Sequence, residues 1–467
     1  MKILLTGATG LIGKELGKAL VRAGHEVCVV SRDQRKARLQ CPFPCEVIEG
    51  DLLQGPLPPA RLEGVEAVIH LLGDSVAEGR WTSKKKKRLV DSRVLSLRHL
   101  RASFRTPVKT LVSASAVGFY GDRGEEELTE NAAAGTDFLA QLCVAWEKEA
   151  KAFSEDGTRV VCLRLGVVLS HKGGALNEML TPFLAGVGGS LGGGGQWMSW
   201  IHLEDAVGLF LHAFDNVGLK GSFNAVAPQP VRHRDFVKTL AAIVRRPHLM
   251  AAPKWALRPL LGEKAQIITD SQKVSSVMIR RTGYDFLFHD LKTALFDLLV
   301  PYNRGEQIFV AEQYLPLPPD QLFPFFCEAG NLARLTPPML DFHVLSMHPV
   351  DIQSGTEIEY RLKVHGLPVK WRTRIEDWNP PFHFVDTQLK GPYKLWHHTH
   401  QFERLGSGTL MTDTVRYILP GGYLGWLGGH GLVRADVEKI FTYRREAIGE
   451  IYGQVPLLGR HSKPALA

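Results

Sequence analysis

Through the first 300 residues, short apolar runs alternate with stretches whose apolar positions recur every three to four residues. Residues 2–5, 27–31, 67–72, 110–114 and 160–165 predict strands, and residues 11–23 predict a helix between the first two. Runs such as AVIHLL and TLVSAS are apolar without alternation, as in strands covered by helices on both faces, so the spacing predicts βαβ units and a parallel sheet. Gly24, just past the first helix, suits a left-handed cap. Beyond about residue 301 the rhythm changes. Residues 308–314, 355–364, 369–377, 382–390, 396–404 and 409–418 predict successive strands, and 319–335 and 431–452 predict helices. That pattern is an antiparallel α+β domain, which places a boundary at residues 300–305 and leaves 454–467, with Pro456, Gly459 and Pro464, as a loose tail.

A length of 467 residues fits two or three domains, and 45% hydrophobic with 22% charged residues is an ordinary folded, water-soluble composition. No apolar run reaches the length of a membrane span, and the apolar core of the first segment is too short for a signal peptide, so a cytoplasmic protein is expected. The six cysteines include no Cys-x-x-Cys pair, which argues against a disulfide framework or a zinc knuckle. The formal charge of +8 lies wholly in the first 300 residues, because residues 301–467 carry 17 basic and 17 acidic side chains. Lys84-Lys85-Lys86-Lys87-Arg88 supplies much of the excess, but it lacks interleaved aromatics and a second basic stripe. It is expected to be a solvated helix turn and not a nucleic-acid face.

Thr6-Gly7-Ala8-Thr9-Gly10-Leu11-Ile12-Gly13 directly follows the first strand and opens the first helix. In that context Gly7 permits the tight turn, Gly10 lets backbone amides approach a pyrophosphate, and Gly13 lets the helix pack closely. The ligand phosphates would then lie on the positive helix end, with Leu11 and Ile12 in its first turn. About twenty residues on, the second strand ends in Ser31-Arg32, where an acidic residue would read the ribose of NAD. A guanidinium forks onto a 2′-phosphate and the Ser31 hydroxyl assists, so NADP is favoured, with NAD as the alternative. Asp33, one residue later, could take the acidic role if the strand ran further.

Gly50-Asp51-Leu52, His70-Leu71-Leu72-Gly73 and Ser113-Ala114-Ser115, each after a predicted strand, together with the glycine motif resemble the extended short-chain dehydrogenase/reductase family. Arg164-Leu165-Gly166-Val167-Val168-Leu169, Gly173-Gly174-Ala175-Leu176, Pro182-Phe183 and Gly192-Gly193-Gly194-Gly195-Gln196-Trp197-Met198-Ser199-Trp200-Ile201-His202 resemble its epimerase-like, NADP-binding branch. The resemblance covers residues 1–299, with about 250–299 as a C-terminal subdomain. It implies a Rossmann-type doubly wound sheet with a small substrate subdomain, and cofactor contacts from Asp51, Leu52, Leu71, Leu72, Gly73, Arg93 and Val167. The alternative for Arg93 is a helix-surface ion pair.

Hydride chemistry in that family uses a Tyr, a Lys four residues later and a Ser or Thr. Ser115 fits the last role, but Leu139 and Cys143 stand at the Tyr and Lys positions. Tyr120 is the remaining acid/base candidate, with Glu147 or Lys148 as other donors. Cys143 has no adjacent base to activate it and reads as a buried helix residue. Two functions stay open: an NADP-dependent epimerase-like oxidoreductase, or a cofactor-binding sensor without turnover. Trp197, Trp200 and His202 are expected to wall a ligand.

Residues 306–453 resemble the START/SRPBCC helix-grip superfamily, on Phe309-Val310, Leu317-Pro318-Pro319-Asp320, Asn331-Leu332, Pro337-Pro338, Gly408-Thr409, Thr412-Asp413 and Tyr417-Ile418-Leu419-Pro420. The resemblance implies a cavity for an apolar or amphipathic small molecule. Of His397, His398 and His400, only the last two share a strand face, and no carboxylate or Cys has ligand spacing beside them. The expectation is that they line the cavity and bind no metal.

Overall fold

The structure is a computed structural model that describes residues 1–328, 330–346 and 352–453. The tail expected at 454–467 lies outside the described residues. Contacts divide the described residues into two compact units, one of residues 1–32 and 46–303, the other of residues 33–45 and those from 304 to 453.

The first unit is built on a seven-stranded sheet of β1 (Lys2–Thr6), β2 (Glu26–Ser31), β3 (Glu46–Glu49), β4 (Val65–His70), β5 (Thr110–Ala116), β6 (Arg159–Leu165) and β7 (Gly221–Ala225). All are parallel, in the order β7-β6-β5-β4-β1-β2-β3. The order reverses direction between β1 and β4, and a crevice at the carboxyl ends of the strands opens at such a switch point. Ile3, Leu4, Leu5, Ala67, Val68, Ile69, Leu111 and Val112 are fully buried, which is why these strands read as unbroken apolar runs. Helix α1 (Leu11–Arg22) buries Leu16 and Leu20 on the stripe that faces the sheet. Helices α2 (Ser83–Ser103), α3 (Phe138–Ala152) and α4 (Leu203–Asp215) complete the layers that the site uses.

The basic run opens α2, and four of its five charges are matched within the unit. Lys85 and Arg88 pair with Asp74, Lys86 with Glu263 and Lys87 with Asp91.

The second unit is a seven-stranded antiparallel sheet of β8 (Gln307–Leu315), β9 (His343–Val344), β10 (Glu357–Val364), β11 (Leu367–Asn379), β12 (His383–Lys390), β13 (Leu395–Leu405) and β14 (Gly408–Ile418), in the order β8-β14-β13-β12-β11-β10-β9. In β10, Ile358, Tyr360 and Leu362 are buried while Glu357, Glu359, Arg361 and Lys363 are exposed, the two-residue period of a sheet with one wet face. Residues 319–335, expected as one helix, form two short ones, α5 (Pro319–Phe326) and α6 (Asn331–Leu335). The last helix, α7 (Gly422–Ile451), starts nine residues before its expected position. Its glycine-rich opening reads as loop by propensity, but a Cβ on Gly425 would lie 1.7 Å from the Pro420 carbonyl oxygen, so glycine is what lets the helix run so close to the preceding chain.

Candidate functional site

The turn between β1 and α1 sits at the switch point of the parallel sheet. Gly7 has φ +72°, and a Cβ there would lie 2.7 Å from the Leu71 carbonyl carbon, so the turn is pressed against the chain leaving β4. A Cβ on Gly13 would lie 2.3 Å from the Gly7 carbonyl oxygen and 2.7 Å from Ala8 Cα. Both residues must therefore be glycine for helix and turn to close on each other. Gly10 caps α1 without a side-chain hydrogen bond. The amides of Leu11, Ile12 and Gly13 have no carbonyl a turn before them in the helix, and they concentrate its positive end.

Of the expected cofactor residues, Leu71 and Leu72 lie against this turn. Leu71 donates its N–H to the Thr6 carbonyl (3.2 Å), which fixes Leu71 and Leu72 alongside Gly7. Asp51 accepts the Leu53 N–H (2.9 Å), and the Leu52 carbonyl contacts His99 Nδ1 (2.8 Å), shaping the bend after β3. Arg32 is exposed at the end of β2, and its side chain makes no hydrogen bond or ion pair among the described residues. Asp33 accepts the Lys36 N–H (2.9 Å) as the N-cap of the short helix Gln34–Gln40. Its carboxylate is thereby engaged as a helix cap.

Arg93 is not the surface ion pair offered as its alternative. It is buried, donates to the carbonyls of Leu89 (3.0 Å) and Asp74 (3.1 Å), and lies over the Trp146 ring at 4.9 Å. A Cβ on Gly73 would come within 2.9 Å of its guanidinium carbon, so Arg93 buttresses the loop after β4 from behind. Val167 pairs with Trp200 and donates its N–H to the Ser199 carbonyl (2.9 Å) at the end of β6.

The two hydroxyls expected to do acid/base work lie in a buried polar network. Ser115 donates to Glu147 Oε1 (2.9 Å). Glu147, on α3, receives a two-pronged ion pair from Arg164 on β6 (2.7 and 3.0 Å) and a hydrogen bond from Ser222 (2.7 Å). Arg164 also donates to the Tyr120 hydroxyl (2.9 Å), which donates to Asn224 Oδ1 (2.6 Å). Tyr120 has no exposed surface and Ser115 is 2% exposed. Burial pushes the Tyr120 phenol up, against the opposing pull of Arg164. Burial also works to raise the Glu147 carboxyl, but the Arg164 guanidinium outweighs it and holds the group below its usual range. Cys143 is buried with its thiol pushed up to about 12 by desolvation, the reverse of an activated nucleophile.

Of the expected ligand wall, Trp200 is wholly interior and donates to the Gln229 carbonyl (2.9 Å), and His202 is 2% exposed and accepts the Glu204 N–H (3.2 Å). Only Trp197 keeps a partly open ring, under the Arg232 guanidinium at 4.2 Å. Trp200 and His202 are core residues because their strand pairs with Val167–Leu169 inside the unit.

The second unit encloses a cavity of about 730 Å³ between its sheet and helices, walled by side chains such as Ile358, Tyr360, Trp371, Leu432 and Phe441. Three of its polar lining residues, Asp386, His398 and His400, belong to a buried four-residue cluster completed by Asp413. Asp386 on β12 stands directly opposite His398 on β13, and Asp413 on β14 stands directly opposite His400. His398 and His400 share the inward face and are sandwiched between the two carboxylates. Arg444 of α7 donates from Nε to Asp413 (3.2 Å). Burial opposes a cation on His398, but Asp386 and Asp413 outweigh it and raise the ring to about 9. Reading along β13 missed both carboxylates, which come from the neighbouring strands; His397 lies on the other face.

Comparison with known proteins covers the first unit. Residues 3–225 match the NAD dependent epimerase/dehydratase family, and residues 252–298 match a domain of unknown function, DUF1731. The chain is 36% identical over 303 residues to the epimerase family protein YfhF of Bacillus subtilis, covering 64% of this chain and 98% of the relative. It is 36% identical over 302 residues to the chloroplastic epimerase family protein SDR39U1 homolog of Arabidopsis thaliana, covering 63% and 86%. Among solved structures, human SDR39U1 isoform 2 with NADPH superposes with a TM-score of 0.57 at 31% identity, covering 64% of this chain and 99% of that one. MoeE5 with UDP-glucuronic acid and NAD shares the fold at 20% identity and a TM-score of 0.53, covering 65% and 99%. On these matches, and with the glycine turn seated at the switch point of a parallel sheet, the chain belongs to the epimerase family.

Proposed function

We propose that this protein is an NADP(H)-dependent, epimerase-like oxidoreductase whose second unit binds an apolar or amphipathic small molecule. The observation that carries the cofactor assignment is the exposed Arg32 at the end of β2, beside a glycine turn with no room for a Cβ at Gly7 or Gly13. In this reading the first-turn amides of Leu11, Ile12 and Gly13 hold the pyrophosphate. Ser31 and Arg32 take the 2′-phosphate, Asp51, Leu52, Leu71, Leu72 and Gly73 line the dinucleotide, Arg93 keeps that last loop in place, and Val167 faces the nicotinamide. The NADPH bound by the human relative supports the same choice. When bound, the nicotinamide supplies or accepts a hydride; the chain's own part is to position it and shield it from water.

A second reading, cofactor binding without turnover, is favoured by one observation: Ser115 and Tyr120 are already committed to buried partners. The second unit is read as a START/SRPBCC-like helix-grip domain, supported by its antiparallel sheet, its 30-residue C-terminal helix and its cavity.

Titrating the purified full chain with NADPH, NADP⁺, NADH and NAD⁺ tests the cofactor assignment. The phosphorylated pair is expected to bind at least tenfold tighter than its counterpart. Equal affinity would remove the role of Arg32, and absence of binding by all four would overturn the oxidoreductase reading.

A further inference from the structure

The cluster on the cavity floor has the arrangement of a metal site. His398 Nε2 and His400 Nδ1 lie 3.0 and 2.7 Å from Asp413 Oδ1. Arg444 Nη2 also approaches His400 Nδ1 on that side, at 3.4 Å. The other ring nitrogens, His398 Nδ1 and His400 Nε2, lie 3.3 and 3.0 Å from Asp386 Oδ2. Asp386, His398 and His400 each bring one possible ligand atom to this spot, all within 4.8 Å of one another, so that an ion would compete there with the ring protons.

We infer that Asp386 Oδ2, His398 Nδ1 and His400 Nε2 form a binding site for a divalent first-row transition-metal ion, with its open positions facing the apolar cavity. Metal–ligand bonds of roughly 2.0–2.2 Å place neighbouring donor atoms about 3.0–3.5 Å apart, and Asp386 Oδ2 lies 3.3 and 3.0 Å from the two ring nitrogens. Two imidazoles and one carboxylate are a donor set for zinc or iron that leaves positions for a substrate or water. The surrounding groups are those such a site needs. Asp413 orients both rings through their distal N–H groups, Arg444 holds Asp413, and Thr373 donates to the other oxygen of Asp386 (3.3 Å). Asp386, His398 and His400 all line the cavity. An amphipathic ligand bound there would meet the ion with an oxygen-bearing head while its apolar body lies against Ile358, Tyr360 and Trp371. The inference concerns the second unit alone and does not depend on cofactor binding by the first.

The test uses the tag-free full chain, stripped with chelator, desalted and titrated with Co²⁺ as the spectroscopic probe. The expected result is one ion per chain, with visible ligand-field bands and a rise in the melting temperature. Asp386→Asn and His400→Ala should abolish the bands. Asp413→Asn should weaken binding about 10–100-fold, as loss of a ligand-orienting carboxylate does. Arg32→Ala should leave it unchanged. A folded wild-type chain that binds no Co²⁺ would overturn the inference. Undiminished binding by folded Asp386→Asn or His400→Ala would overturn it equally, because the ion would then sit elsewhere.

Discussion

Replacing Glu147 by Ala should cost the first unit roughly 3–5 kcal/mol, the loss that follows when one partner of a buried ion pair is removed. Arg164 is 3% exposed and would keep a full charge without the carboxylate it now grips, while Ser115 and Ser222 would each lose an acceptor. Arg164→Ala should cost about as much, and the double variant less than the sum, because the partners share one network. Thermal unfolding of the three variants measures this, with melting temperatures expected to fall by on the order of 10 °C for each single change. The pH dependence has a definite sign. The Glu147 carboxyl is held below its ordinary value of 4.5, so its contribution is complete above that pH and is lost as the pH falls through the folded-state value. Tyr120→Phe separates architecture from chemistry. A structural phenol predicts a loss of about 1–3 kcal/mol with nucleotide affinity unchanged; a catalytic one predicts lost turnover at full stability.

Gly13→Ala should lower NADPH affinity at least tenfold. The added carbon would lie 2.3 Å from the Gly7 carbonyl oxygen, and no rotamer relieves the clash because Cβ is fixed by the backbone. Either the turn carrying Gly7 moves or the first turn of α1 does, and each change withdraws amides from the phosphate position. Gly55→Ala, where a Cβ meets nothing within 4 Å, should leave affinity unchanged. Calorimetric titration of both variants, with their melting curves as a folding control, decides it. Unaltered binding by Gly13→Ala would mean that the nucleotide does not sit at this helix end.

Much of the fold was legible because local pattern and burial agree. The apolar runs at 2–5, 67–72 and 110–114 are the central strands of the parallel sheet, and the alternation along 357–364 is the half-wet strand β10. The glycine turn was legible because its three glycines stand in a fixed order between a strand and a helix. What escaped was through-space pairing. Glu147 and Arg164 lie 17 positions apart on a helix and a strand, and nothing local announces that they meet. Asp386 and Asp413 reach the histidines only through strand register, which sequence spacing along one strand does not reveal. Trp200 and His202 looked like a ligand wall because aromatic and polar residues near glycines suit a binding loop; their pairing with Val167–Leu169 buries them instead.

In the proposed function, Arg32 at the end of β2 reads a 2′-phosphate. The most direct measurement is a thermodynamic cycle: dissociation constants of NADPH and NADH for the wild-type chain and for Arg32→Ala, at one fixed ionic strength. Arg32→Ala should weaken NADPH about 10–100-fold, as expected for a lost charge-assisted contact of roughly 1.5–3 kcal/mol, and leave NADH within about twofold. Equal losses for the two nucleotides, or none for either, would contradict it.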